Sequence, residues 1–149
     1  MRHVTQEGLS LIKRFEGFSP TIYLDAAGLA TIGYGHLLRP GEAEMFRRGI
    51  SHEAAIALLI KDVEAAERSV LRLITVPLTN GQFDALVSFT FNLGGGALQR
   101  STLRRKVNRE EHDDVPTEFL RWVWAGGRKL KGLEKRRKAE AVMYQSFSI

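Results

Sequence analysis

The stretch FEGFSPTIYLDAAGLATIGYGH, residues 15–36, decides how the rest of the chain is read. It sets Glu16, Asp25 and Thr31 among glycines and alternating apolar residues. Upstream, Leu9, Ile12 and Phe15 recur at helical spacing and Leu11 widens the stripe, which predicts a helix over 5–15 with Gly17 as its stop. Glu16 then sits at the carboxyl end of that helix. The unpaired carbonyls there disfavour a negative charge and favour the protonated carboxyl that a general acid needs. Downstream, Thr21–Leu24 reads as a strand, Ala27-Gly28 as a turn and Leu29–Ile32 as the return strand. Asp25 falls on the polar turn and should stay ionised, and Thr31 follows with a hydroxyl able to hold a water. A proton donor paired with an anion is the arrangement that glycosidic-bond hydrolysis uses.

The remaining chain is read as mostly helical. Arg39–Glu42 is a turn, and a short irregular or helical stretch carries on to Gly49. Ser51 caps a long helix to about Leu73. Its apolar stripe is Ile56, Leu59, Ile60, Val63, Val70 and Leu73, with Lys61, Asp62, Glu64, Glu67 and Arg68 facing out. Thr79 and Gln82 form a capping box opening a very apolar helix over 80–93, the expected core element. Gly94-Gly95-Gly96 breaks it, and Ser101 caps a short basic helix to about Asn108. Arg109–Asp114 is a loop. Pro116 opens a helix ending at Gly126-Gly127, and a last helix runs from Leu133 to about Phe147.

Composition narrows the chemistry. At 149 residues one domain is expected, long enough to bury a core. No apolar run reaches the roughly 18–20 residues needed to span a membrane, and the amino end has too many charges for a signal peptide. With no cysteine there is neither a disulfide nor a thiolate nucleophile, and the four histidines lack metal-ligand spacing. The net charge of +5 favours an anionic partner.

Taken together, these residues resemble the tailed-phage lysozymes (endolysins) of the T-even and lambdoid kind, glycoside hydrolase family 24. The motif is Glu16, eight residues, Asp25, five residues, Thr31, with Tyr23 before the aspartate and TIGYGH over 31–36. It continues in VPLT at 76–79, QFDAL at 82–86, FNLG at 91–94, STL at 101–103 and WAGG at 124–127, with Gly132-Leu133 and Arg136-Arg137 after it. The order and spacing of these pieces cover nearly the full length.

The resemblance implies a predominantly helical α+β chain with a two-lobed lysozyme fold. Its small lobe (16–58) holds the antiparallel sheet. The larger helical lobe takes 1–15 and 74–149, and the 51–73 helix joins the two. It implies a muramidase cleaving the β-1,4 bond between N-acetylmuramic acid and N-acetylglucosamine with inversion. Glu16 would be the acid, with Asp25 and Thr31 serving the water. Tyr23, Phe91, Asn92 and Leu93 would contact sugar, and Arg136 or Arg137 would pair with the acid. His36 takes a structural position. The resemblance implies no cofactor and no metal. Bacterial peptidoglycan is the implied partner, met by a monomer without nucleic acid or stable membrane insertion. Synthesis would be in the host cytoplasm, with a separate holin giving access to the wall. A lytic transglycosylase of the same fold and a non-catalytic wall-binding module are the competing readings. The first uses one acid and no water, against the Asp25–Thr31 pair.

Overall fold

The computed structural model describes residues 1–146. It is mostly helical with a small antiparallel sheet near the amino end, as the sequence implied, and a second, two-stranded sheet that the sequence reading did not expect. Two compact units emerge, residues 12–64 and residues 1–11 with 65–149.

The smaller unit carries a three-stranded sheet of β1 (Ser19–Leu24), β2 (Ala30–Gly33) and β3 (His36–Leu37), in that order. Tyr23 faces Thr31 and Leu24 faces Ala30 across β1 and β2; Thr31 and Ile32 face Leu37 and His36 across β2 and β3. The third strand is an addition to the hairpin expected from sequence. Gly33 and Gly35, both at positive φ (67° and 73°), turn the chain tightly enough to form it. Helix α1 (Gln6–Glu16) ends where expected, with Gly17 at φ 71° donating back to the Lys13 carbonyl. A short helix α2 (Glu42–Met45) follows the Arg39–Glu42 turn. Buried His36 presents Nδ1 to Asp62 (2.7 Å) and Nε2 to Glu42 (3.2 Å), with Phe46 edge-on. It ties the turn after β3 to the long helix, consistent with a structural role.

Helix α3 (His52–Leu73) is capped by the Ser51 hydroxyl, which accepts from Ala54 N. Two assignments on it are corrected. Ile60 is 50% exposed, and Glu67, expected to face out, is buried. Glu67 is buried because the amino-terminal segment supplies its partners: the Val4 amide donates to one carboxylate oxygen and His3 Nδ1 lies 3.0 Å from the other. Periodicity places residues on a helix face but does not say what covers that face.

The larger unit is built on α4 (Asn80–Leu93), whose residues from Phe83 to Thr90 are all buried. The Thr79–Gln82 capping box forms as expected. Helix α8 (Lys131–Gln145) packs along α4, and α7 (Val115–Phe119) packs on α8. The expected end of the last helix at Phe147 lies outside the described residues. Gly94 alone separates α4 from α5 (Gly95–Arg100), so the glycine run is mostly helical. α6 (Thr102–Asn108) follows under its Ser101 cap. The Arg109–Asp114 loop contains a single 3-10 turn over His112–Asp114.

The helix expected from Pro116 to Gly126-Gly127 is also corrected. α7 stops at Phe119, and β4 (Trp124–Ala125) pairs with β5 (Arg128–Lys129) as a hairpin. Gly126 and Gly127 both take positive φ (58° and 77°), which is two-residue hairpin-turn geometry rather than a helix stop.

Candidate functional site

The smaller unit holds Glu16, Asp25 and Thr31, the three residues expected to carry chemistry. Asp25 opens the turn between β1 and β2. Its Oδ1 accepts from Ala27 N (2.9 Å) and Leu29 N (2.8 Å), an aspartate-closed turn that local side-chain bonding favours. Its own amide donates to the Leu29 carbonyl at 2.9 Å. That same carbonyl receives the Thr31 hydroxyl, also at 2.9 Å.

Register fixes the strand positions beside this turn. Tyr23 is directly opposite Thr31, so those two side chains share a face of the hairpin, and Asp25 follows at the end of β1, where its amide closes onto the Leu29 carbonyl. Thr31 is 2% exposed, Asp25 is half-buried and Tyr23 is 38% exposed. Because the Thr31 proton is committed to Leu29, what its oxygen offers an incoming water is a lone pair.

Glu16 is the last residue of α1 and half-buried. Its carboxylate lies over the turn between β2 and β3, so close that a Cβ on Gly35 would fall 2.7 Å from Oε1. Sequence reading placed Gly35 as permitting close approach; the structure names Glu16 as the group that approaches. Two other contacts escaped the sequence: the Leu29 peptide group, which no residue-type pattern marks, and the Arg137 partner of Asn92.

Phe91, Asn92 and Leu93, expected to border the sugar, form the half-buried last turn of α4 in the larger unit. Arg136 and Arg137 sit one turn into α8, both buried. Arg137 Nε is 2.8 Å from Glu140 Oε1, a close ion pair whose geometry is electrostatic rather than that of an aligned hydrogen bond. Its Nη2 donates to Asn92 Oδ1 at 2.7 Å, and its guanidinium lies 5.3 Å over the Phe89 ring. Arg136 donates to Glu140 Oε2 and the Ser88 carbonyl, and the Ser88 hydroxyl donates to Glu140 at 2.5 Å. Burial pushes the Glu140 carboxyl up against the opposing pull of the two guanidiniums, and burial lowers Arg137. Among the described residues no cluster of three His, Cys, Asp or Glu side chains is placed to hold a metal ion.

The chain resembles known proteins along nearly its whole length. The phage lysozyme family model matches residues 13–140. The endolysin of Acyrthosiphon pisum secondary endosymbiont phage 1 is 37% identical over 148 residues, covering 97% of this chain and 99% of that one. The Bacillus phage B103 endolysin is 40% identical over 95% of this chain, which spans only about half (54%) of that longer protein. The muramidase domain of SpmX from Asticaccaulis excentricus superposes with a TM-score of 0.85 at 34% identity, over 97% of this chain and 99% of that one. A family model spanning both units and full-length likeness in sequence and structure lead to one assignment: the chain belongs to the phage lysozyme family.

Proposed function

We propose that this phage lysozyme hydrolyses the β-1,4 glycosidic bond between N-acetylmuramic acid and N-acetylglucosamine in bacterial peptidoglycan, by a single inverting displacement. Glu16 gives its proton to the departing glycosidic oxygen as the C1–O bond breaks. A water donates one O–H to the Asp25 carboxylate and the other to the Thr31 oxygen, which turns its lone pair toward the anomeric carbon. Asp25 takes the water's proton as the new C1–O bond forms on the opposite face. Two protons move, no covalent enzyme intermediate forms, and the anomeric centre inverts. Room for the water requires carboxyls roughly 6.5–9.5 Å apart.

The observation that carries this reading is the hydrogen-bonded link of Asp25 and Thr31 through Leu29. A threonine whose donor is already used is a pure acceptor, which suits it to orient a nucleophilic water. Tyr23 and the Phe91–Leu93 turn are proposed as sugar contacts. Residues 121–138 hold eight Lys/Arg against one Glu, whereas residues 1–120 hold fourteen against fifteen acids. Arg136 and Arg137 are buried against Glu140, so the exposed part of that excess is Arg121, Arg128, Lys129, Lys131, Lys135 and Lys138, complementary to the carboxylates of wall peptides.

No helix among the described residues is long and apolar enough to cross a membrane. We include in the proposal that the protein acts as a monomer, after synthesis in the host cytoplasm, once a separate membrane-opening protein admits it to the wall. Expression without such a partner should leave cells intact; spontaneous lysis would contradict this part. The chemical step is tested by analysing products from purified sacculi. Free reducing ends with the α anomer formed first support the proposal. Anhydro-muramyl ends would assign a transglycosylase instead, and a β anomer would exclude inversion.

A further inference from the structure

We propose that the β4–β5 hairpin is a peripheral membrane-binding surface. Trp124 settles at the headgroup level of a bilayer, and the cations around it hold anionic phospholipid headgroups. The proposal goes beyond the muramidase reading and does not rest on it. Two tryptophans two residues apart are treated differently by the fold. The Trp122 ring meets Phe89 edge-on at 5.5 Å and carries the Arg100 guanidinium at 5.9 Å. Trp124 is 62% exposed, and its ring meets no other ring, no cation and no hydrogen-bond partner among the described residues. A single exposed apolar side chain is ordinary on a protein surface. What sets Trp124 apart is its surroundings.

Residues 124–132 are exposed without a break. Trp124 stands opposite Lys129 on one face of the hairpin, and Arg128 stands opposite Ala125 on the other. Between Phe119 and Ala139 the one acid is Glu134, and Lys129 (2.9 Å) and Lys138 (3.3 Å) already neutralise it. Arg128, Lys131 and Lys135 are exposed and have no acidic partner among the described residues. The Gly126-Gly127 tip carries no side chain to hold an approaching surface off. The composition also decides between a sugar and a bilayer. A sugar seated on an aromatic ring is fixed by directional side-chain acceptors and donors beside that ring. Residues 120–133 contain no Asp, Glu, Asn, Gln, Ser or Thr. An indole ringed by cations without such groups suits an anionic bilayer instead. There the ring occupies the boundary between water and hydrocarbon, and each cation is drawn to lipid phosphate. Contact through one hairpin makes the association reversible, and no helix among the described residues is long and apolar enough to cross a membrane.

Sedimentation of the full chain with lipid vesicles tests this. Wild type should bind phosphatidylcholine vesicles containing about 30% phosphatidylglycerol, be released by about 0.5 M salt, and leave pure phosphatidylcholine vesicles alone. Trp124→Ala should weaken binding to the anionic vesicles about tenfold, and Trp124→Phe should keep most of it. Arg128→Gln and Lys131→Gln should each weaken it about fivefold. All four variants should melt with wild type, because the side chains replaced are exposed. Trp124→Ala should release reducing ends from soluble glycan strands within about twofold of wild type. Anionic vesicles bound equally by wild type and Trp124→Ala overturn the proposal, as does a wild type that ignores anionic vesicles or binds neutral ones as tightly. A raised KM for Trp124→Ala on soluble strands, with vesicle binding intact, would seat a sugar on the ring and also overturn it. The vesicle measurements need no turnover, so a wild type that binds vesicles and releases no reducing ends would refute the muramidase reading alone.

Discussion

Asp25 and Thr31 are joined through one residue, Leu29. Its amide donates to the Asp25 carboxylate at 2.8 Å, and its carbonyl accepts the Thr31 hydroxyl at 2.9 Å. The catalytic geometry proposed here is thus written into a hairpin turn, and small changes to that turn should be felt in the chemistry before they are felt in the fold.

Thr31→Val keeps the branched shape and removes the hydroxyl. The Leu29 carbonyl still accepts from the Asp25 amide, so stability should fall by only about 1 kcal/mol. Activity should fall about 10- to 100-fold, because the water loses one of two acceptors. Thr31→Ser, which retains the oxygen, should recover most of it. Thermal melts and wall-clearing rates on the same preparations check both halves.

Two glycines with positive φ provide a matched pair. Gly28 (φ 80°) has nothing within 4 Å of where a Cβ would stand, so Gly28→Ala should cost about 1 kcal/mol of backbone strain and little activity. Gly35 (φ 73°) has Glu16 Oε1 2.7 Å away. Gly35→Ala should suffer the same strain and also displace the proposed acid, lowering kcat by about 100-fold or more. Equal kcat for the two variants would contradict the placement of Glu16 over that turn.

Asp84 gives a pH signature. Burial pushes its carboxyl above the ordinary range, against hydrogen bonds from the Thr5 hydroxyl and amide. A folded-state value above the unfolded one means the ionised form costs stability at neutral pH. That cost is relieved as pH falls through the raised value toward about 3.8, the ordinary aspartate value. Asp84→Asn removes the titration. The melting temperature of wild type relative to Asp84→Asn should therefore rise as pH is lowered from about 7 to about 4. A flat difference across that window would contradict the assignment.

The concentration of positive charge in residues 121–138 predicts salt-sensitive wall binding. The affinity of a Glu16→Gln protein for sacculi should drop about tenfold between about 0.05 and 0.5 M salt. Replacing exposed Arg128, Lys131 and Lys135 with glutamine should flatten that dependence. Sedimentation of protein with purified walls measures it.

Elements governed by local rules were legible in the sequence. The Thr79–Gln82 box, the Ser51 and Ser101 caps and the Gly17 stop depend on residues within one turn of each other, and all formed. What long-range partners decide was not. Glu67 is buried because His3 and Val4 reach it from 64 and 63 positions away, and Glu140 because Ser88 does from 52. The Gly126-Gly127 hairpin was misread because two glycines after a helix-like run also fit a helix end. Only their φ values distinguish the cases. In the site itself, the spacing of Glu16, Asp25 and Thr31 could be read directly, whereas the Leu29 bridge and the Arg137–Asn92 bond needed the backbone to be in place.

The most direct test of the central claim compares wild type, Glu16→Gln and Asp25→Asn in parallel on purified sacculi. Asparagine at 25 retains an oxygen for the Ala27 and Leu29 amides, so the turn should survive and both variants should melt within a few degrees of wild type. Each should lose at least about a thousandfold in the rate of reducing-end release, the order expected when an acid or base is removed from a glycosidase pair. A folded Glu16→Gln or Asp25→Asn protein that still releases reducing ends within about tenfold of wild type would contradict the account.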